Sequence, residues 1–95
     1  MDLQQLIAGI PELTFWQPGR ARIGHITADS REVRPGSLFV ARPGAAHDGQ
    51  AYLRQAVGRG AAALLCWRTP DRPLGVPALG HPDPASVVSR LADRL

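Results

Sequence analysis

Apolar positions along the chain switch between a helical and a two-residue period, and the switch points mark its elements. Leu3, Leu6 and Ile7 recur at helical spacing behind Asp2, whose carboxylate suits the free amides of a first turn, and Gly9 and Pro11 stop that helix early. From Arg22 to Ala28 the period is two, which predicts a strand with Ile26 and Ala28 facing inward. Pro35-Gly36 predicts a type II turn, because proline presets the first central φ and glycine accepts the positive φ of the second. That turn feeds Leu38-Phe39-Val40, a short buried strand. After a break at Pro43-Gly44, Asp48 is placed to cap a helix with Tyr52, Leu53, Ala56 and Val57 on one face, and Gly60 to end it in the left-handed conformation. Phe39 and Tyr52 are assigned to the core.

Ala61 to Trp67 is apolar on both faces, as expected of a central strand with helices on both sides of its sheet. A Pro-rich loop from Thr69 to Pro73 leads to a brief strand at Val76 to Leu79. Asp83-Pro84 opens a last helix with an apolar stripe of Val87, Val88, Leu91 and Leu95. That pattern is still running at Leu95 with no closing residue, which predicts a domain cut from a longer chain. Strands alternating with helices imply an α/β fold: one small domain over residues 1–95, with a short sheet of about four to five strands flanked by helices.

Charge narrows the function classes. The net charge is +3, and all eleven basic residues are Arg, none Lys. They are dispersed along the chain with few aromatics between them, whereas nucleic-acid binders gather basic residues on one face and interleave stacking rings. No nucleic-acid partner is therefore expected. The single cysteine, Cys66, excludes an internal disulfide, and its apolar run marks it as a buried, inert thiol. The longest purely apolar run is the stretch 61–67 and the amino terminus has no leader pattern, so a cytoplasmic protein without a membrane partner is expected. His25, His47 and His81 lie far apart in sequence, and no metal site is readable. Neither paired catalytic carboxylates nor a nucleophile with its base emerges from spacing. Packing is the default role for Trp16 and Trp67.

One segment carries more than local structure. Ile26-Thr27-Ala28-Asp29-Ser30-Arg31, then Pro35-Gly36, then Leu38-Phe39-Val40-Ala41, then Pro43-Gly44 and His47-Asp48-Gly49, follow one another in an order that chance explains poorly. This series resembles the amino-terminal domain of the Mur ligases, ATP-dependent enzymes that extend the peptide of the peptidoglycan precursor. The match continues through Gln55-Ala56-Val57 and Arg59-Gly60-Ala61, and it is closest to the MurE branch, which adds the third residue of the stem peptide. The branch adding the terminal dipeptide shares the Asp-Ser-Arg and Asp-Gly motifs and stands as the alternative.

The resemblance implies that this domain holds the uridine end of a UDP-N-acetylmuramoyl-peptide, with Ala28, Ser30, Ala45, Ala46 and His47 at the nucleotide. Asp29, Arg31, Gly44, Asp48 and Gly49 then form the supporting loop. Uracil offers one N–H donor and two carbonyl acceptors, which backbone groups and one hydroxyl can match without charge. Each residue also has a local reading: Asp29 and Arg31 can pair across Ser30, Ser30 can be a turn hydroxyl, and Asp48 a helix cap. The resemblance further implies ATP and magnesium for the whole enzyme, but a phosphate-cradling loop uses a lysine that this chain lacks. The chain alone is therefore expected to be inactive, its central and carboxy-terminal partner domains lying elsewhere. A stand-alone interaction module that kept the fold is the remaining reading.

Overall fold

Helices cover both faces of a five-stranded sheet, as a run apolar on both sides requires. The computed structural model describes residues 1–43 and 49–95. Its elements are α1 (Leu3–Ile7), β1 (Thr14–Gln17), β2 (His25–Thr27), β3 (Ser37–Val40), α2 (Leu53–Gly58), β4 (Ala63–Cys66), β5 (Ala78–Gly80) and α3 (Pro84–Arg94). Short 3-10 turns occupy Ser30–Glu32 and Gly49–Tyr52. The strand order is β1-β5-β4-β3-β2, with β2 to β5 parallel and β1 antiparallel on β5.

Alternation along the strands splits the core into two layers. Leu38, Val40, Ala63, Leu65 and Leu79 face Leu3 and Leu6 of α1 and Val87 and Leu91 of α3. Phe39, Ala41, Leu64, Cys66 and Ala78 face Leu53 and Ala56 of α2. The pairing Thr27 with Phe39, Phe39 with Leu64, and Leu64 with Ala78 runs across the parallel strands and brings the carboxyl ends of β2 and β3 side by side. The Pro35-Gly36 turn forms as expected: Ser37 N–H donates to the Arg34 carbonyl at 3.0 Å and Gly36 has φ +87°. Gly60 ends α2 with φ +104° and its N–H on the Val57 carbonyl.

Several expectations are corrected. The edge strand β1 is not anticipated, since four residues between Leu13 and Pro18 give too brief an alternation. The strand expected over 22–28 is only His25–Thr27. Ile26 packs on the α1-side layer as expected, but Ala28 is exposed and Ile23, assigned outward, is fully buried, because the chain leaves the sheet after Thr27 while Ile23 is held beneath α1. There Ile23 N–H donates to the Met1 carbonyl at 2.7 Å and the amino terminus donates to the Ile23 carbonyl. Tyr52 is 39% exposed, since it ends the 3-10 turn ahead of α2 and falls out of the helical phase. Leu95 lies past the last turn of α3 and is also exposed. Asp2 and Asp83 make no side-chain caps. Instead Ser86 Oγ donates to the Asp83 carbonyl at 2.7 Å, while Pro84 holds the first helical position as expected. The cap assigned to Asp48 lies outside the described residues. Among the described residues no helix is long and apolar enough to cross a membrane.

Candidate functional site

The carboxyl end of β2 is shaped by a chain of local hydrogen bonds. Thr27 Oγ1 accepts from the Asp29 N–H at 3.0 Å, and the same hydroxyl is placed to donate to the Asp29 carbonyl or to Glu32 Oε2, each 3.3 Å away. Asp29 is extended and caps the following 3-10 turn, with Oδ1 accepting from the Arg31 N–H at 2.9 Å. The Arg31 side chain folds back over the same carboxylate, Nε on Oδ1 at 3.0 Å and a terminal nitrogen on Oδ2 at 2.8 Å. The side-chain hydrogen bonds from Arg31, and then its backbone N–H, hold the Asp29 carboxyl down at about 2. Asp29 is thus an ionised, hydrogen-bonded carboxylate near neutrality and too weak a base to serve as a general base there.

This turn fixes Ser30 between the two charged residues. Ser30 is 9% exposed, and among the described residues its hydroxyl has no hydrogen-bond partner. It lines an open cleft of about 600 Å³ together with Ala28, Asp29, Arg31, Arg42, Tyr52 and Gln55. That volume is in the range of small-molecule sites. Of the residues expected at a nucleotide, the fold therefore brings Ala28 and Ser30 into one cleft with Asp29 and Arg31. Gly44, Ala45, Ala46, His47 and Asp48 lie outside the described residues, and Gly49 opens the 3-10 turn that ends at Tyr52. Arg42 and Tyr52, which precede and follow that stretch in the sequence, both line the cleft.

Arg42, Tyr52 and Gln55 are the cleft residues that the sequence did not point to. Arg42 carried a signal, as a charged residue directly after the buried run 37–41. Tyr52 was masked by its apparent helical phase with Leu53, Ala56 and Val57. A second opening of about 400 Å³ lies beside α2 and the loop after β4, lined by Arg54, Arg68, Thr69, Asp71 and Arg72 among others, and contains none of the motif residues.

The other chemically capable side chains serve the fold. Cys66 is buried in the layer beneath α2, and burial pushes its thiol up to about 12, as expected of an inert cysteine. His81 Nδ1 accepts from the Asp83 N–H at 2.9 Å, at the start of α3. Trp16 packs against the α2-side layer, and the Arg68 guanidinium stands 5.2 Å from the centre of the Trp67 ring.

Comparison with known proteins gives the family. The family model described as Mur ligase family, catalytic domain, matches residues 22–93. The chain is 40% identical over 88 residues to a UDP-N-acetylmuramoyl-L-alanyl-D-glutamate--2,6-diaminopimelate ligase of Rhizobium meliloti, covering 90% of this chain and 18% of that protein. It is 38% identical to the UDP-N-acetylmuramyl-tripeptide synthetase of a Roseiflexus species, over 97% of this chain and 18% of the relative. Among solved structures, MurF from Acinetobacter baumannii shares the fold at a TM-score of 0.65 and 23% identity, covering 93% of this chain and 18% of that one. MurF ligase from Thermotoga maritima in complex with ADP aligns at 0.60 and 27% identity, covering 78% and 16%. The chain thus spans less than a fifth of the length of each of these proteins. With the family model covering most of its residues around this motif-lined cleft, the chain belongs to the Mur ligase family.

Proposed function

We propose that this chain is the uridine-holding, amino-terminal domain of a cytoplasmic UDP-N-acetylmuramoyl-L-alanyl-D-glutamate ligase of peptidoglycan synthesis, and that it has no ligase activity alone. The observation carrying the reading is Ser30, a nearly buried hydroxyl without a partner among the described residues, fixed at a ligand-sized cleft by the Thr27–Asp29–Arg31 hydrogen bonds. A buried hydroxyl left unpaired costs free energy, and a uracil carbonyl or N–H would satisfy it. Tyr52 presents an exposed ring at the same cleft, a surface on which a flat base can stack. Gly44 to His47 would add backbone donors and acceptors from the loop that Arg42 and Tyr52 flank.

ATP does not fit these residues. The chain has no lysine for a phosphate loop, and among the described residues no group of three or more acidic, histidine or cysteine side chains gathers to hold a metal ion. ATP, magnesium and the incoming amino acid are assigned to the parts of the relatives that this chain does not span. The likeness to MurF ligase from Thermotoga maritima favours a second reading, a domain of the dipeptide-adding ligase. Both readings place uridine at Ser30.

The test is a uridine titration of the chain followed by backbone amide resonances. Shifts at the Ala28–Arg31 turn, Gly44–His47 and Tyr52 are expected, with Ser30→Ala weakening binding about three- to tenfold through loss of one hydrogen bond. Silence at those amides at millimolar uridine would rule the site out.

A further inference from the structure

The cleft has an unbalanced charge. Arg31 is neutralised by both carboxylate oxygens of Asp29, and Glu32, whose carboxylate turns toward Thr27, does not line the cleft. Arg42 is different: it is exposed, it lines the cleft, and among the described residues no carboxylate lies within ion-pair distance of it. Its backbone is positioned by the sheet, since the preceding Ala41 N–H donates to the Leu65 carbonyl at 2.8 Å as the β3–β4 ladder ends. A guanidinium on a fixed base lines the same cleft as a neutral hydroxyl and an exposed aromatic ring, so the cleft offers one unneutralised cationic group together with uncharged contacts. Nucleoside diphosphates have the complementary polarity, a neutral base at one end and two linked phosphates at the other.

We propose that Arg42 is the residue of this chain that recognises the diphosphate, binding its oxygens while the base lies against Ser30 and Tyr52. This rests on the uridine reading above. Arginine suits the task because its planar fork donates two parallel hydrogen bonds to a phosphate and keeps its charge at any physiological pH. The second opening, with Arg54, Arg68 and Arg72, is the rival anion site, but it shares no lining residue with the Ser30 cleft.

Calorimetric affinities of uridine and UDP for the chain and its variants separate these possibilities. UDP is expected to bind about tenfold more tightly than uridine, the worth of one charge-assisted pair of hydrogen bonds. Arg42→Gln should abolish that advantage without changing uridine affinity, and Arg42→Lys should restore part of it. Arg54→Gln, in the rival opening, should leave it intact. An advantage that survives Arg42→Gln, or that disappears in Arg54→Gln, would overturn the assignment. Failure of the uridine reading looks different: uridine would leave the Ser30 amide unmoved, whatever UDP does at Arg42.

Discussion

Asp29 shows how much a single side chain can be asked to hold. Its two oxygens accept three hydrogen bonds from Arg31, one from backbone and two from the guanidinium, and so define the conformation in which Ser30 is presented. Because the folded carboxyl titrates at about 2 and an unconstrained one at 3.8, the folded state binds the proton less readily than the unfolded chain. The resulting stabilisation is complete above the unfolded value and is lost as pH falls from about 4 through 2. Urea midpoints of the wild-type chain and Asp29→Asn should therefore differ at pH 6 and converge toward pH 2.5. Equal midpoints at pH 6 would show the turn to be indifferent to the charge. Arg31 is 81% exposed, so the difference should also shrink in high salt.

At the scale of elements, the sequence was informative wherever burial is two-sided or a turn needs special dihedrals. The runs around Leu38–Val40 and Leu64–Cys66, the Pro35-Gly36 turn and the end of α2 at Gly60 were all legible, because each rests on a local physical requirement. The edge strand β1 was not, since its position depends on an antiparallel partner more than sixty residues away, at Ala78–Gly80. The candidate cleft was half legible: the motif contains its Ala28–Arg31 wall, but the placement of Arg42 and Tyr52 beside that wall follows from how β3 runs next to β2 and α2 packs on the Ser30–Glu32 turn, which no local pattern encodes. The β1–β5 pair also gives a test of packing. A methyl group on Gly80 would collide with the Trp16 ring, so Gly80→Ala should cost about 1–3 kcal/mol of stability in urea unfolding, as overpacked sites do. Trp16→Val should remove most of that cost; an unchanged penalty in the double variant would mean the ring is not its source.

At the scale of the molecule, distant parts of the chain are joined at α1. One nitrogen of Arg94, in α3, donates to the Leu6 and Ala8 carbonyls, both at 2.7 Å, satisfying groups that a helix end leaves open. Arg94→Met keeps most of the stem's packing and removes those bonds, and a loss of about 1–2 kcal/mol in thermal or urea unfolding is expected. A loss indistinguishable from zero would show that solvent replaces them. The passage from β2 to β3 has a consequence of another kind. Parallel neighbours usually need a crossover of a dozen or more residues, yet only 28–36 join Thr27 to Ser37, pinned at one end by the Asp29 turn and at the other by the Pro35-Gly36 turn. An added or deleted residue there has no slack to disappear into, and a one-residue slip of β3 would exchange Leu38 and Val40 with Phe39 and Ala41 between the two layers. Length variation among descendants of this sequence is thus barred from the very stretch that forms the cleft and diverted to the connection 67–77, where the chain can lengthen without disturbing a strand.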